Sequence, residues 1–472
     1  MLVLASHRAS CLIPAGPRLA SESAEVAWCL EASAAGLRAA PSLPSARPCR
    51  AVLRLWFDQQ ARTASRMRPC LPLLAVLASS SALRMSSSTE GASTLRQLLG
   101  EVSALSLPKQ RAVAACVGAC VADAAARPMH WLYDGDKLES IVASFPGTDV
   151  AFWPESVSPY YTMKTGANSC YYDLGLCMLK ALSRLPSAED EIKTAFEGEL
   201  RGMFGPGTEY NRAFLRRNEK YDPTKRYEKR DPIDGPWQQS SVTVWLETNG
   251  SGNPLSKETD GLVSTLPLIA QLSASSTGSV ISSEGQELVR KLAAVLSTNA
   301  FALSHTLSAA AILSAVINSP SAGGDVLTPG LVLEAVAAVD DSVIARAAAV
   351  EGEAAGKATV LAELAAVVEA VEKDPTGSNH VSLVLQWGKP CANPGSFQGA
   401  CHAALTSRSF AEGTRKTVRA GGCNCSRANL AGALLGARFG LLDEAQGGIP
   451  AEWILKADKG LEVLRLAIDK LK

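Results

Sequence analysis

Two stretches of this chain allow helices to approach each other unusually closely. From Gly118 to Ala126 the text is small residues broken only by valine and Asp123, and Leu430-Ala-Gly432-Ala-Leu-Leu-Gly436-Ala437 sets two glycines four residues apart. Glycine inside a helix costs propensity, so glycines at helical spacing are kept for close packing rather than for the helix itself. An aspartate in such a run is costly to bury unless it is hydrogen-bonded. Its plainest role is a polar anchor.

The rest of the chain agrees with a helical reading. Aromatic residues make up only 6%, while alanine is abundant, and alanine with Leu, Glu and Lys favours helices over strands. Helix boundaries are marked by Ser106, by Ser283-x-x-Gln286, by Thr328-Pro329 and by Ser409-x-x-Glu412, each a capping signal. Residues 355–373 read as an amphipathic helix with Leu361, Leu364, Val367 and Val368 on one face. Strand-like alternation is confined to Ser241–Glu247. Gly- and Pro-rich loops cover 146–170, 204–210, 231–254 and 389–396, where sites usually sit.

Basic and acidic residues balance at 46 each, so net charge gives no sign of nucleic acid as a partner. The Ala-rich runs are interrupted by Asp123, Arg127, Glu363 and Glu369, and no membrane span is expected. The 12 cysteines are scattered, and Cys116, Cys120 and Cys177 read as small core residues.

Residues 1–95 do not read as a domain. Met1–Arg66 holds eight Arg, no Lys and four acids. A second start at Met67 would open a basic, then apolar, then Ser-rich stretch. This is the pattern of a disordered targeting segment, suited to a plastid or another organelle. The domain proper is expected over 96–472.

Four segments carry chemistry. In the first, Asp123 is followed by Pro128, His130 and Trp131. In the second, Gly166, Asn168, Ser169 and Cys170 form a turn before a helix with Asp173 in its first turn, where backbone N–H groups suit an anion. The third is Asp260-Gly at a helix start. The fourth, Gly421-Gly422-Cys423-Asn424-Cys425-Ser426, presents two thiols and a hydroxyl at another helix start. Trp131, Tyr160, Tyr161 and Trp237 are candidates to line a nucleotide-sized cleft, while His305 and His402 read as satisfied core histidines.

In this order the four segments resemble the ADP-ribosylglycohydrolase family, with its G-D-A-L-G-x-P, T-D-D, D-G and G-G-D-x-D-T motifs. Asn393–Phe397, Ser409–Glu412 and Gly448–Trp453 also match its late segments. The resemblance runs from about 105 to 470, and its variants look closest to the eukaryotic branch of J-type crystallins and related selenoproteins. It implies an all-α fold, a single compact orthogonal helical domain, and an ADP-ribose-like small-molecule ligand.

The resemblance also implies two Mg²⁺ ions, held by carboxylates and threonine hydroxyls, that bind the ribose diol and position water at the anomeric carbon. Carried over, T-D-D falls on Tyr172, Asp173 and Leu174, D-x-D-T on Cys423–Ser426, and a further acid on His130. Magnesium wants oxygen, so most of its ligands are lost. Asp173 and Asp123 remain as catalytic candidates. Gly166, Asn168, Ser169, Cys170, Gly421, Gly422 and Asn424 would meet the substrate. Asp173, His130, Cys423, Cys425 and Ser426 form a softer set that suits Zn²⁺. Three expectations therefore stand together: a glycosidic hydrolase or ADP-ribosyl binder, a non-catalytic crystallin-like scaffold, and a thiol or zinc protein, the last with Cys423, Cys425 and Cys170 converging.

Overall fold

The structure is a computed structural model that describes residues 90–472, apart from 185–187, 220–230, 322–325, 348 and 351–353. The expected targeting segment and the alternative start at Met67 lie outside the described residues.

Helices dominate. Those that frame the site are α1 (Leu107–Ala126), α2 (Cys170–Ser183), α3 (Ser240–Glu247), α4 (Asp260–Ala274), α5 (Ala300–Ile317), α6 (Lys357–Lys373), α7 (His380–Trp387), α8 (Gly395–Thr406), α9 (Phe410–Arg419), α10 (Asn424–Phe439) and α11 (Gly460–Leu471). Two short strands, Tyr161–Thr162 and Ile233–Asp234, pair in parallel with Tyr161 opposite Ile233. They tie the 146–170 and 231–254 loops together.

The closest packing is between α1 and α10. A Cβ on Gly118 would strike the Gly432 carbonyl, one on Gly432 the Gly118 carbonyl, and one on Gly436 the Ala114 carbonyl. The two backbones touch, and only glycine permits it. α1 and α5 are each long and apolar enough to cross a bilayer, yet the apolar stretch of each is buried in the core.

The caps mostly follow the sequence. Ser106 precedes α1, which ends before a 3₁₀ turn at Arg127–Met129. Thr328 accepts from the Leu331 N–H, and Ser409 from that of Glu412. At the 283 helix the cap is one residue earlier, with Ser282 accepting from the Gly285 N–H. The 355–373 helix starts at Lys357, with Leu364 and Val367 buried. Ser241–Glu247 corrects the strand expectation: it is helical. Val242 and Trp245, three apart, share a buried face, and packing overrides the β propensity of Val, Thr and Trp.

One histidine expectation holds and one changes. His305 is satisfied, by the Phe301 carbonyl at 2.8 Å and Glu363 at 2.7 Å. His402 instead faces His380, Nδ1 to Nδ1 at 3.0 Å, and Nε2 of each ring has no partner. Burial lowers both rings, His402 to about 4, with Lys416 adding to this and Asp374 opposing it. At His380 burial comes first, then His402, Arg427 and Lys416.

Candidate functional site

Asp123 is fully buried in α1. Its Oδ1 accepts from the Ser169 N–H at 2.7 Å and the Asn168 amide at 3.1 Å. Its Oδ2 accepts from the Ser169 hydroxyl at 2.6 Å and the Asn429 amide at 3.0 Å. Four donors fill the lone-pair directions of a carboxylate. Burial raises this carboxyl, and the Ser169 and Asn168 donors pull it back. The group ties α1, the entry to α2, and α10 together. Asn168 and Ser169 are spent on this junction. Gly166, at φ +97°, packs against residues 456–458, with its carbonyl accepting from the Asp458 N–H at 2.9 Å.

Asp173 is likewise committed. It accepts from the Tyr210 hydroxyl at 2.9 Å and pairs with Lys459 of the segment leading into α11. Cys425 points back to α1, with its sulfur 3.9 Å from the Asp123 carbonyl. Ser426 is bonded to the Cys423 carbonyl at 2.8 Å and to the Ser396 hydroxyl at 3.1 Å. The Asn424 amide donates to the carbonyls of Ala126 and Met129, both at 3.2 Å.

What the fold does bring together is His130 and Cys423. The Gly421-Gly422 turn has both residues at positive φ. The Trp131 N–H donates to the Gly422 carbonyl at 2.8 Å, and the Gly422 N–H returns to Leu132 at 2.6 Å. Buried Arg427 holds the carbonyls of Gly421 and Lys389. This clamp sets His130 Nε2 3.3 Å from Cys423 Sγ, with His130 Nδ1 2.7 Å from the Tyr161 hydroxyl. The Tyr171 hydroxyl lies 3.1 Å from the same sulfur. Burial alone would raise the Cys423 thiol. A hydrogen bond from the Cys391 thiol, with the charge and hydrogen bond of His130, instead holds it well below the ordinary thiol range.

Cys391, Glu258 and Asp260 complete the site. Glu258 bridges Ala392, and the Asn393 N–H donates to the Lys257 carbonyl at 3.0 Å. The Glu258 carboxyl thus meets the Cys391 thiol and Asp260. Ser241 of α3 donates to Asp260. Burial raises both carboxyls, Asp260 to about 6. Gln238 Oε1, Thr259 Oγ1 and both side-chain polar atoms of Asn393 are buried without a hydrogen-bond partner. Cys170 lies close enough to Asp260 and Cys423 for their charges to add to the burial that raises its thiol. Trp131 stands edge-on to Tyr160, Tyr161 and Trp237, at centroid distances of 5.3, 5.5 and 5.1 Å. Trp131 itself is held at φ +65°, a conformation that costs a bulky residue energy and recurs at functional sites.

These donors do not fit the family's magnesium pair. The groups at the site are imidazole, thiols and phenols beside two carboxyls, Glu258 and Asp260, that burial raises; only these two carboxyls are donors of the kind a hard dication takes, too few to hold a pair of ions. Nor do His130, Asp173, Cys423, Cys425 and Ser426 form one zinc cage: among the described residues no three His, Cys, Asp or Glu side chains are grouped to hold a metal. Asp173 and Cys425 have turned to other partners.

The domain is thus all-helical, with its candidate site at the start of a glycine-seamed helix. The ADP-ribosylglycohydrolase family profile matches residues 105–472, and the chain belongs to that family. It is similar to Crystallin J1A of Tripedalia cystophora, at 28% identity over 366 residues, covering 76% of this chain and 95% of the crystallin. Crystallin J1B of the same animal is 26% identical over the same shares. Among solved structures, a chain of an ADP-ribosylglycohydrolase-related protein complex superposes with a TM-score of 0.44 at 18% identity, covering 77% of this chain and 98% of that one.

Proposed function

We propose that this protein binds an ADP-ribosyl ligand between the Trp131–Tyr160–Trp237 rim and the Glu258–Asp260 loop, and does so without a magnesium pair. One observation carries the reading. Gln238, Thr259 and Asn393 bury unpartnered polar atoms in the segments around Asp260, whose carboxyl burial raises to about 6. Buried polar groups are normally satisfied, and a hydroxyl-rich ligand would satisfy these. A carboxyl poised near pH 6 also suits proton donation to a leaving group. Family membership supports the ligand class.

Thermal unfolding with ADP-ribose, with and without Mg²⁺ or Zn²⁺, tests it. Ligand at a hundredfold excess over its Kd should stabilise the native state by about 2.7 kcal/mol, a rise of several degrees, equally in chelator. A rise that needs Mg²⁺ would overturn the metal-free reading. No rise under any condition would favour the non-catalytic crystallin-type scaffold.

A further inference from the structure

We propose that Cys391 and Cys423 form a redox-active dithiol, which a small hydroperoxide oxidises to an intrachain disulfide. Unlike the ligand reading, this rests on no assumption about ADP-ribose. Cys423 alone among the described thiols has an imidazole in contact, His130 at 3.3 Å, together with a phenol at 3.1 Å. It also occupies the N-cap position of α10, a helix of 16 residues, where the helix dipole favours a thiolate.

The second thiol is already in place. The Cys423 N–H donates to the Lys389 carbonyl at 2.9 Å, two residues before Cys391, and a Cβ on Gly422 would meet Lys389. The two backbones therefore run in contact. The Cys423 sulfur is close enough to the Cys391 thiol to raise it, ahead of burial, and Cys391 is the one described cysteine that is partly exposed as a residue. Cys116, Cys401 and Cys425 are buried free thiols, raised by burial.

The chemistry balances. The Cys423 thiolate attacks the terminal peroxide oxygen and the O–O bond breaks. The leaving alkoxide or hydroxide takes the proton held on His130, and Cys423 becomes a sulfenic acid. The Cys391 sulfur then attacks that sulfur. The S–O bond breaks, hydroxide leaves as water with the Cys391 proton, and the S–S bond forms. Two electrons pass from the sulfurs to the peroxide.

The test treats the reduced full chain with equimolar hydrogen peroxide, then blocks free thiols in denaturant and maps peptides by mass spectrometry. A Cys391–Cys423 cross-linked peptide, reversed by dithiothreitol, should be the main product. Cys423 should be consumed at least ~10-fold faster than Cys116 or Cys401. Cys391→Ser should stop at a Cys423 sulfenic acid that dimedone traps. Should that variant fail to fold, the wild-type pH profile of Cys423 alkylation serves: its midpoint should lie well below the ~8.5 of a simple thiol. Oxidation of Cys423 at the rate of Cys116, or a midpoint at or above 8.5, overturns the proposal.

Discussion

The Asp123 junction and the Asp260 loop each bury an aspartate at a helix, and they treat it in opposite ways. At Asp123 four donors from two segments, residues 168–169 and Asn429, converge on a carboxylate carried by a third, α1. At Asp260 one hydroxyl donates, a second carboxyl stands alongside, and neighbouring polar atoms go unpartnered. The first arrangement holds the fold. The second spends stability, as sites do when they wait for a ligand. Both aspartates sit in motifs of the same family pattern, so motif membership alone does not separate scaffold from site.

Removing each group should break this symmetry. The largest effect is expected from Asp123→Ala, which strands the donors of Asn168, Ser169 and Asn429 inside the core. The loss should be about 3–5 kcal/mol, read from urea unfolding; a loss under ~1 kcal/mol would mean that the junction is not a hub.

Next comes the His380–His402 pair, which sharpens the contrast by adding a buried base. Folded His402 titrates at about 4, against ~6.5 in an unfolded chain. Between those values the unfolded state takes up a proton that the native state refuses. Stability should therefore fall as pH drops from 6.5 to 4, by on the order of 3 kcal/mol. His402→Asn should flatten that slope in unfolding curves collected across the window.

The smallest effect has the opposite sign. Folded Asp260 titrates at about 6, above its unfolded value of ~3.9. The native state keeps a proton that the unfolded chain releases between those values, so this group favours folding on acidification and loses that contribution above pH 6. Asp260→Asn should raise stability at pH 8 by just under ~3 kcal/mol and change little near pH 4. A loss at pH 8 would place Asp260 with Asp123 as a structural residue.

Much of the frame could be read from the sequence. The glycines at 118, 432 and 436 announced the helix seam, and Asp123 among alanines announced a polar anchor. His130 and Cys423 were both in the expected site. Cys391 was not, because a single cysteine in a Gly- and Pro-rich loop has no spacing to mark it. Glu258 was hidden in polar Ser-Lys-Glu-Thr text that reads as surface. Asp173 had the right motif position, but the sequence gives no sign that Lys459, 286 residues later, neutralises it. Each of these depends on contacts between distant segments, which local patterns do not encode.

The meshed backbones of α1 and α10 also act as an indexing pin. With carbonyls against glycine Cα atoms, α10 cannot rotate or slide without collision. Every residue upstream is therefore placed by counting back from Gly432. One inserted residue between Cys425 and Gly432 would swing the turn by about 100° and shift it by about 1.5 Å, carrying the sulfur of Cys423 away from the imidazole. The chemistry at the tip can be exchanged residue for residue, oxygen for sulfur, but the number of residues between pin and tip is fixed.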